Sequence, residues 1–479
     1  MGDKHLQEAV PDGAAAVRYQ PYSEYKESGV EWIGNVPKHW GVKRLKFLSI
    51  KIGSGVTPRG GATVYQNSGI PLLRSQNIHF DGLKLHDVAF IDESVHADMK
   101  NSQVKTGDVL LNITGASIGR CYFWGDEYED ANVNQHVCII RPNAIITTSY
   151  LFYAMSSDAG QTQINVEQTG AGREGLNFEA LKTFSFSLPS IPEQQTIAAF
   201  LDYKTAKIDA LIAKKKALLE KLLEKRTALI SHAVTKGLDP KASMRDSGID
   251  WLGEIPAHWE TKRIKHLLKY KKAAIKTGPF GSQLQSSEMN DSEVKVYNQK
   301  NVISQDLKGG NNYISFEKYR DLIAFEVFPD DLLVTTRGTI GRCLIVPHDA
   351  EKGILHPCLM RLQINQKQIL NSYLKVLIGE SGFVFEHLKL MSNATTIEVI
   401  YSESLKEVWL PIPPVDEQYK ILEHLNESIG ELEAFTHKVE IVITRLQEYR
   451  SALITNAVTG KIDVRNFRLP EAEELVNHG

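Results

Sequence analysis

Apolar residues recur at every seventh position along two stretches of this chain. In the first, Leu201, Ile208, Leu222 and Leu229 share one heptad position, with Lys215 the exception, and Leu211 and Leu218 occupy the following d position. In the second, Leu425, Leu432, Val439, Leu446 and Leu453 fill the same position, flanked by Phe435 and Val442. Such a seam predicts long helices that want a partner helix. Each stretch opens at a proline cluster, Leu188-Pro189-Ser190-Ile191-Pro192 or Leu410-Pro411-Ile412-Pro413-Pro414, and stops at Gly237 or Gly460, as helix punctuation requires. Ahead of each helix the pattern changes. Short apolar runs (Val109–Ile113, Val137–Ile140, Leu332–Thr336, Leu359–Ile364) alternate with Gly, Pro and Asn breaks. This predicts a sheet-containing α/β (α+β) domain before each helix.

The chain also repeats itself. Ser28-Gly29-Val30-Glu31-Trp32-Ile33-Gly34-Asn35-Val36-Pro37-Lys38-His39-Trp40 returns as Ser247-Gly248-Ile249-Asp250-Trp251-Leu252-Gly253-Glu254-Ile255-Pro256-Ala257-His258-Trp259. Asp108-Val109-Leu110-Leu111 with Ile118-Gly119-Arg120-Cys121 returns as Asp331-Leu332-Leu333-Val334 with Ile340-Gly341-Arg342-Cys343. Ala228-Leu229-Ile230-Ser231-His232-Ala233-Val234-Thr235 returns as Ala452-Leu453-Ile454-Thr455-Asn456-Ala457-Val458-Thr459. Three blocks in one order make the chain two copies of a unit of about 220 residues. The expected layout is a tail over 1–20, a globular domain over 21–188, a central helix over 189–240, a second domain over 241–410, a distal helix over 411–465 and a tail over 466–479. The two helices are expected to pair antiparallel about an internal pseudo-two-fold. Charge supports that pairing: the first helix carries Lys204, Lys207, Lys214, Lys215, Lys216, Lys221, Lys225 and Arg226, the second Glu423, Glu427, Glu431, Glu433, Glu440 and Glu448.

Composition adds limits. With 42% hydrophobic and 24% charged residues over 479 positions, a disordered, collagenous or disulfide-stapled chain is excluded. No apolar run approaches the ~20 residues of a membrane span. The polar N-terminus lacks the apolar core of a signal peptide, so a cytoplasmic location is expected. Cys121, Cys138, Cys343 and Cys358 form no metal-binding spacing, and inert thiols without a structural metal are expected. The balance of 55 Lys+Arg against 58 Asp+Glu gives a net charge of −3, which weighs against a nucleic-acid binder until its distribution is inspected.

The distribution points the other way. From Trp32 to Phe80 no acidic residue occurs, while Lys38, Lys43, Arg44, Lys46, Lys51, Arg59 and Arg74 do. From Thr261 to Ser287 the second copy repeats this with Lys262, Arg263, Lys265, Lys269, Lys271, Lys272 and Lys276. Twin basic stretches at matching places predict a phosphate-tracking surface in each copy, carried by Lys43, Arg44, Lys46, Lys51 and Arg59 and by Lys262, Arg263, Lys265, Lys269 and Lys276. Each runs into a glycine-rich loop, Gly53–Gly61 or Thr277–Gln283, whose backbone N–H groups could approach phosphates. Side chains able to read base edges follow: Arg74, Gln76, Asn77, Gln135 and Arg173 in the first copy, and Gln299, Lys300, Asn301 and Arg337, with Asn393, in the second. The scaffold blocks repeat while the loops between them do not, so two different half-sites are expected. Helices of about 40 residues are ~60 Å long, roughly 17 base pairs, and would hold the domains at a fixed distance.

This constellation resembles the specificity (S) subunit of Type I restriction–modification enzymes. The resemblance rests on the duplicated Trp-Ile/Leu-Gly-x-x-Pro-x-His-Trp blocks, the Asp-Val-Leu-Leu and Asp-Leu-Leu-Val blocks with Ile-Gly-Arg, and Ile191-Pro192-Glu193-Gln194-Gln195 and Pro414-Val415-Asp416-Glu417-Gln418 leading into the helices. It implies two target recognition domains and two antiparallel helical spacers, non-catalytic by themselves. It further implies double-stranded DNA, two modification subunits and motor–nuclease subunits as partners in an N6-adenine methyltransferase and ATP-dependent endonuclease complex. S-adenosylmethionine, ATP and Mg²⁺ would be used by those partners and none bound by this chain. The alternatives are a protein–protein scaffold without DNA contact, or a stand-alone methyltransferase or nuclease. The methyltransferase lacks its loop, because Ile412-Pro413-Pro414-Val415 has the prolines but not the polar and aromatic ends. For the nuclease, Asp291-Ser292-Glu293-Val294-Lys295 reads better as a solvated charge run than as a metal site.

Overall fold

The structure, a computed structural model, describes residues 19–125, 128–170, 175–271, 273–289, 292–392 and 399–470. Contacts divide the chain into two compact units, residues 1–216 with 440–479, and residues 217–439. Each long helix thus begins in one unit and ends in the other: α4 spans Ile191–Lys236 and α8 spans Val415–Val458. Among the described residues, no helix is long and apolar enough to cross a membrane.

In the first unit, β1 (Gly41–Arg44), β2 (Ser49–Ser54), β3 (Ile70–Leu73), β4 (Ala89–Ile91), β5 (Val109–Asn112), β6 (Cys121–Phe123), β7 (Asn132–Val133), β8 (Val137–Pro142) and β9 (Ser185–Leu188) are joined by α1 (Thr148–Ser156), α2 (Asp158–Gly170) and α3 (Phe178–Thr183). An antiparallel sheet runs β6-β5-β8-β2, and a second sheet runs β7-β3-β4 with β7 parallel to β3. The apolar runs read from sequence are its central strands: Val109, Leu110, Leu111 and Val137–Ile140 are fully buried.

The second unit repeats this plan. Its strands include β10 (Glu260–Arg263), β11 (Ile275–Thr277), β12 (Val294–Tyr297), β13 (Tyr313–Ile314), β14 (Glu326–Val327), β15 (Leu332–Thr335), β16 (Cys343–Ile345), β17 (Gly353–Leu355), β18 (Leu359–Leu362) and β19 (Trp409–Ile412), and its helices include α5 (Asn371–Gly379), α6 (Phe383–Ser392) and α7 (Ser402–Glu407). The sheet β11-β18-β15-β16 matches β2-β8-β5-β6, and β12 lies parallel to β17 as β3 does to β7. One expectation fails here. Lys295 is no part of a solvated run: it lies on buried β12, 1% exposed, with its ammonium donating to the Lys308 carbonyl at 2.9 Å and the Tyr313 hydroxyl at 3.2 Å. Asp291 lies outside the described residues.

The repeated motifs pin the helix ends. Glu193, at the start of α4, accepts the Tyr22 hydroxyl at 2.8 Å and lies 3.1 Å from His39 Nε2. Glu417, at the start of α8, lies 2.7 Å from His258 Nε2 and accepts the Trp259 indole N–H at 3.0 Å. The next residue holds the chain around it. Gln194 Oε1 accepts the Thr147 N–H at 2.8 Å and its amide donates to the Ile145 and Pro189 carbonyls. Gln418 does the same with Leu370, Gln368 and Pro413. Helix exits use the same seats. Gly460 takes φ +72° and a Cβ there would lie 2.3 Å from Pro37, while Gly237 takes φ +76° against Trp259. Glycine therefore both supplies the left-handed cap and lets the helix end sit on the His-Trp block. Trp40 and Trp259 are buried packing residues, and His39 and His258 sit half-exposed against the glutamates at the helix starts.

Within each unit the helix halves run antiparallel. Asp209 of α4 pairs with Arg450 of α8 at 2.9 Å in the first unit, and Arg226 approaches Glu433 at 3.9 Å in the second. Seam positions Leu201, Ile208, Leu425, Val439, Leu446 and Leu453 are buried, while Leu222, Leu229 and Leu432 are half-buried. The second seam row differs from the expected one. It passes through buried Thr205, Ile212, Ile443 and Ala457, whereas of the expected row Leu211 and Phe435 are 39% and 48% exposed and Leu218 and Val442 half-buried. The Arg226–Glu433 pair follows the expected basic-against-acidic sense, while the closer Asp209–Arg450 pair reverses it, with the acid on the basic helix.

Cys121, Cys138 and Cys343 are buried and Cys358 half-buried, all as free thiols. Burial pushes the Cys138 and Cys343 thiols up to about 12. Thiols held protonated in this way are poor nucleophiles and metal ligands.

Candidate nucleic-acid interface

The ends of several first-unit strands converge on one rim. Here the Asn134 N–H donates to the Leu73 carbonyl at 3.0 Å, Ile113 N–H to the His136 carbonyl at 3.0 Å, and the Asn112 amide to the Ser75 carbonyl at 2.8 Å. Gly55, just beyond β2, closes the rim. A Cβ on it would lie 1.7 Å from the Val133 carbonyl oxygen. In the second unit Gly278 stands 2.1 Å by the same measure from the His356 carbonyl. These two loop glycines are thus required by backbone packing inside each domain, and the phosphate approach expected of them is not needed to explain them.

Gln76 and Gln135 are exposed on this rim. The Gln135 amide is braced: its Nε2 lies 2.9 Å from His136 Nε2, and His136 Nδ1 lies 2.6 Å from Thr114 Oγ1. Asn77 is a correction. Its side chain is buried, with Oδ1 accepting the Arg74 N–H at 2.9 Å and Nδ2 donating to the Lys84 carbonyl at 2.8 Å, so it shapes the turn and cannot meet a base. Half-buried Arg74 donates to the Asp87 carbonyl at 2.9 Å and faces the Tyr65 ring at 5.8 Å. Arg173 lies outside the described residues.

The second unit builds the same rim from different side chains. His356 N–H donates to the Tyr297 carbonyl, Thr336 N–H to the Cys358 carbonyl and Ile400 N–H to the Thr336 carbonyl, each at 2.9 Å. Arg337 and Lys300 are exposed; Gln299 is half-buried with its amide 3.4 Å from the Thr339 carbonyl. Asn301 repeats the role of Asn77: it is buried, accepts the Asn298 N–H and donates to the Asp306 and Gly309 carbonyls. It too is removed as a base reader. Asn393 lies outside the described residues. Sequence reasoning overlooked Thr114, although Ile113-Thr114-Gly115 aligns with Thr336-Arg337-Gly338 and marks it as the counterpart of Arg337.

The twin basic stretches are unequal. Lys43 and Arg44 on β1, Lys46 after it, and Arg59 are exposed and make no ion pair among the described residues. Lys51 is half-buried and donates to the Asn101 carbonyl at 2.7 Å; burial, then nearby Arg141, lowers its pKa. In the second unit Lys262 pairs with Glu260 at 2.6 Å, and Glu407 takes both Arg263 at 2.7 Å and Lys265 at 2.8 Å. Arg263 also stacks on Trp409 at 4.8 Å, and Lys276 stands 4.8 Å over Phe325. Lys269 is exposed without an ion pair among the described residues, and Lys272 lies outside them. Three basic residues of the second copy, Lys262, Arg263 and Lys265, are therefore paired with acids that lie outside the acid-free stretch. Lys43–Lys46 and the rim occupy opposite ends of β2, which at ~3.3 Å per residue separates them by ~20 Å. Among the described residues, no group of His, Cys, Asp and Glu is placed to hold a metal ion.

The sequence profile of the family described as "Type I restriction modification DNA specificity domain" matches residues 37–221 and again 256–444. The chain belongs to this family. The two matches fall on the two copies of the duplicated scaffold. Among similar proteins, the Type I restriction enzyme StySPI specificity subunit of Salmonella potsdam is 20% identical, and the EcoKI specificity subunit of Escherichia coli K12 is 19% identical. Each alignment spans 90% of this chain and 90% of the relative. A chain from a structure solved for complex assembly and conformational transition of the type I R-M system shares the fold, with TM-score 0.66, 15% identity, 88% of this chain and 98% of that one covered. The fold and the sequence profile agree that this is a Type I specificity subunit with two DNA specificity domains.

Proposed function

We propose that the protein recognises a bipartite, asymmetric target in double-stranded DNA, one half-site per unit, with an unread spacer between them. The observation that carries this is one scaffold built twice with different side chains on its two rims. In this reading the 46-residue α4 and 44-residue α8 set the spacer length. The chain supplies specificity and no chemistry. Two modification subunits bring S-adenosylmethionine, and motor–nuclease subunits bring ATP and Mg²⁺. Leu211, Leu223, Tyr419, Phe435 and Ile441 on the long helices are exposed and available to such partners.

The inequality of the basic stretches gives a test. In a salt titration of the complex with modification subunits on a target duplex, changing Lys43, Arg44 and Lys46 to Gln is expected to weaken binding to all sequences alike. The slope of log K against log salt should fall by about 0.9 for each phosphate no longer neutralised. Changing Lys262, Arg263 and Lys265 should alter the slope less, because Glu260 and Glu407 already hold those charges. Unchanged slopes in the first variant would remove phosphate binding from that face.

A further inference from the structure

The duplicated scaffold lets the rims be compared position by position. Thr114 in the first unit stands where Arg337 stands in the second, and Gln135-His136 stands where Pro357-Cys358 stands. The backbone frame is the same on both: the residue before Thr114 or Arg337 donates its N–H to the carbonyl of His136 or Cys358, and accepts from Leu176 or Ile400.

From this we infer that the second unit reads a guanine through Arg337 and the first unit reads an adenine through Gln135. The inference rests on the DNA-recognition reading above and gives it base identity. Arg337 is exposed, its backbone is bridged to Val399, and its guanidinium has no hydrogen bond or ion pair among the described residues. A fork of donors left free matches guanine, whose major-groove edge offers two acceptors, O6 and N7. Lys300, exposed on the same rim, adds a second donor without an acceptor among the described residues.

The first rim offers the opposite chemistry. One amide proton of Gln135 is directed at His136 Nε2, and Thr114 holds the other side of that ring. The remaining N–H and the Oε1 form a donor–acceptor pair of fixed direction, which matches the N7 acceptor and N6 donor of adenine. Pro357 removes this amide from the second rim, and Thr114 removes the guanidinium from the first.

The test uses the full chain in complex with its modification subunits and a duplex library with randomised positions, sequencing the bound fraction. The wild type is expected to select guanine at one position that Arg337→Ala relaxes about 10- to 100-fold while the other positions hold. Arg337→Gln should move the preference there toward adenine, and Gln135→Ala should relax one adenine in the other half-site. Because neither side chain is buried, an unchanged melting profile is expected for each variant. A loss spread equally over all positions, no change, or relaxation at a base other than guanine would overturn the assignment of Arg337. A wild-type complex that selects no sequence would refute the DNA-recognition reading itself.

Discussion

Asp108→Ala is expected to destabilise the first unit by about 3–5 kcal/mol, because it strips the partner from a largely buried charge. Arg141 grips the fully buried Asp108 carboxylate with two hydrogen bonds of 2.7 Å, and the same carboxylate accepts the Lys105 N–H at 2.7 Å. Removal leaves the guanidinium and that N–H unsatisfied between β5 and β8. The duplicate site behaves differently. Asp331 accepts the Gln363 amide at 2.7 Å and the Phe328 N–H at 2.8 Å, while Arg361 stays 3.7 Å away. Burial there raises the carboxyl pKa, so ionisation already works against the fold. Asp331→Asn should therefore cost less than Asp108→Asn. The sign for pH follows: a raised folded pKa makes the Asp331 contribution fall as pH rises through the carboxylate range. Denaturant melts of the single variants would show the difference, and equal losses would contradict it.

Lengthening both long helices by seven residues, between Lys216 and Ala217 and between Val439 and Glu440, should abolish recognition of the original target. Two turns keep the heptad seam and add ~10 Å, about three base pairs. Binding to the old target should fall about 10³-fold or more, toward the non-specific level. Targets recovered from a library of spacer lengths should carry longer spacers than the wild type selects. Recovery of the wild-type spacer would refute the helices as rulers.

Much of this fold was legible because duplication writes it twice. Glu193-Gln194 and Glu417-Gln418, the glycine stops and the His-Trp blocks each reveal their roles by pairing with their counterparts. The second seam row was illegible for a physical reason. Half of it is polar, with Thr205, Arg226, Thr436 and Arg450 at positions where an apolar pattern is sought, and the nearby Leu211 and Phe435, which completed the expected heptad row, lie exposed. The site was harder. A stretch free of acid looks like a phosphate track only until the chain returns Glu407 beside Arg263 and Lys265, some 140 residues later. Asn77 and Asn301 have the chemistry of base readers, but both ends of each amide are consumed inside the domain. Thr114 carries no base-reading signal of its own and becomes visible only through its alignment with Arg337.

The central claim is that two units of one chain read two separated half-sites. Mapping methylated adenines on genomic DNA modified by the complex containing this chain tests it most directly. The account predicts two specific blocks separated by a gap of constant length and free sequence. A single contiguous motif, a gap of variable length, or methylation without sequence preference would contradict it.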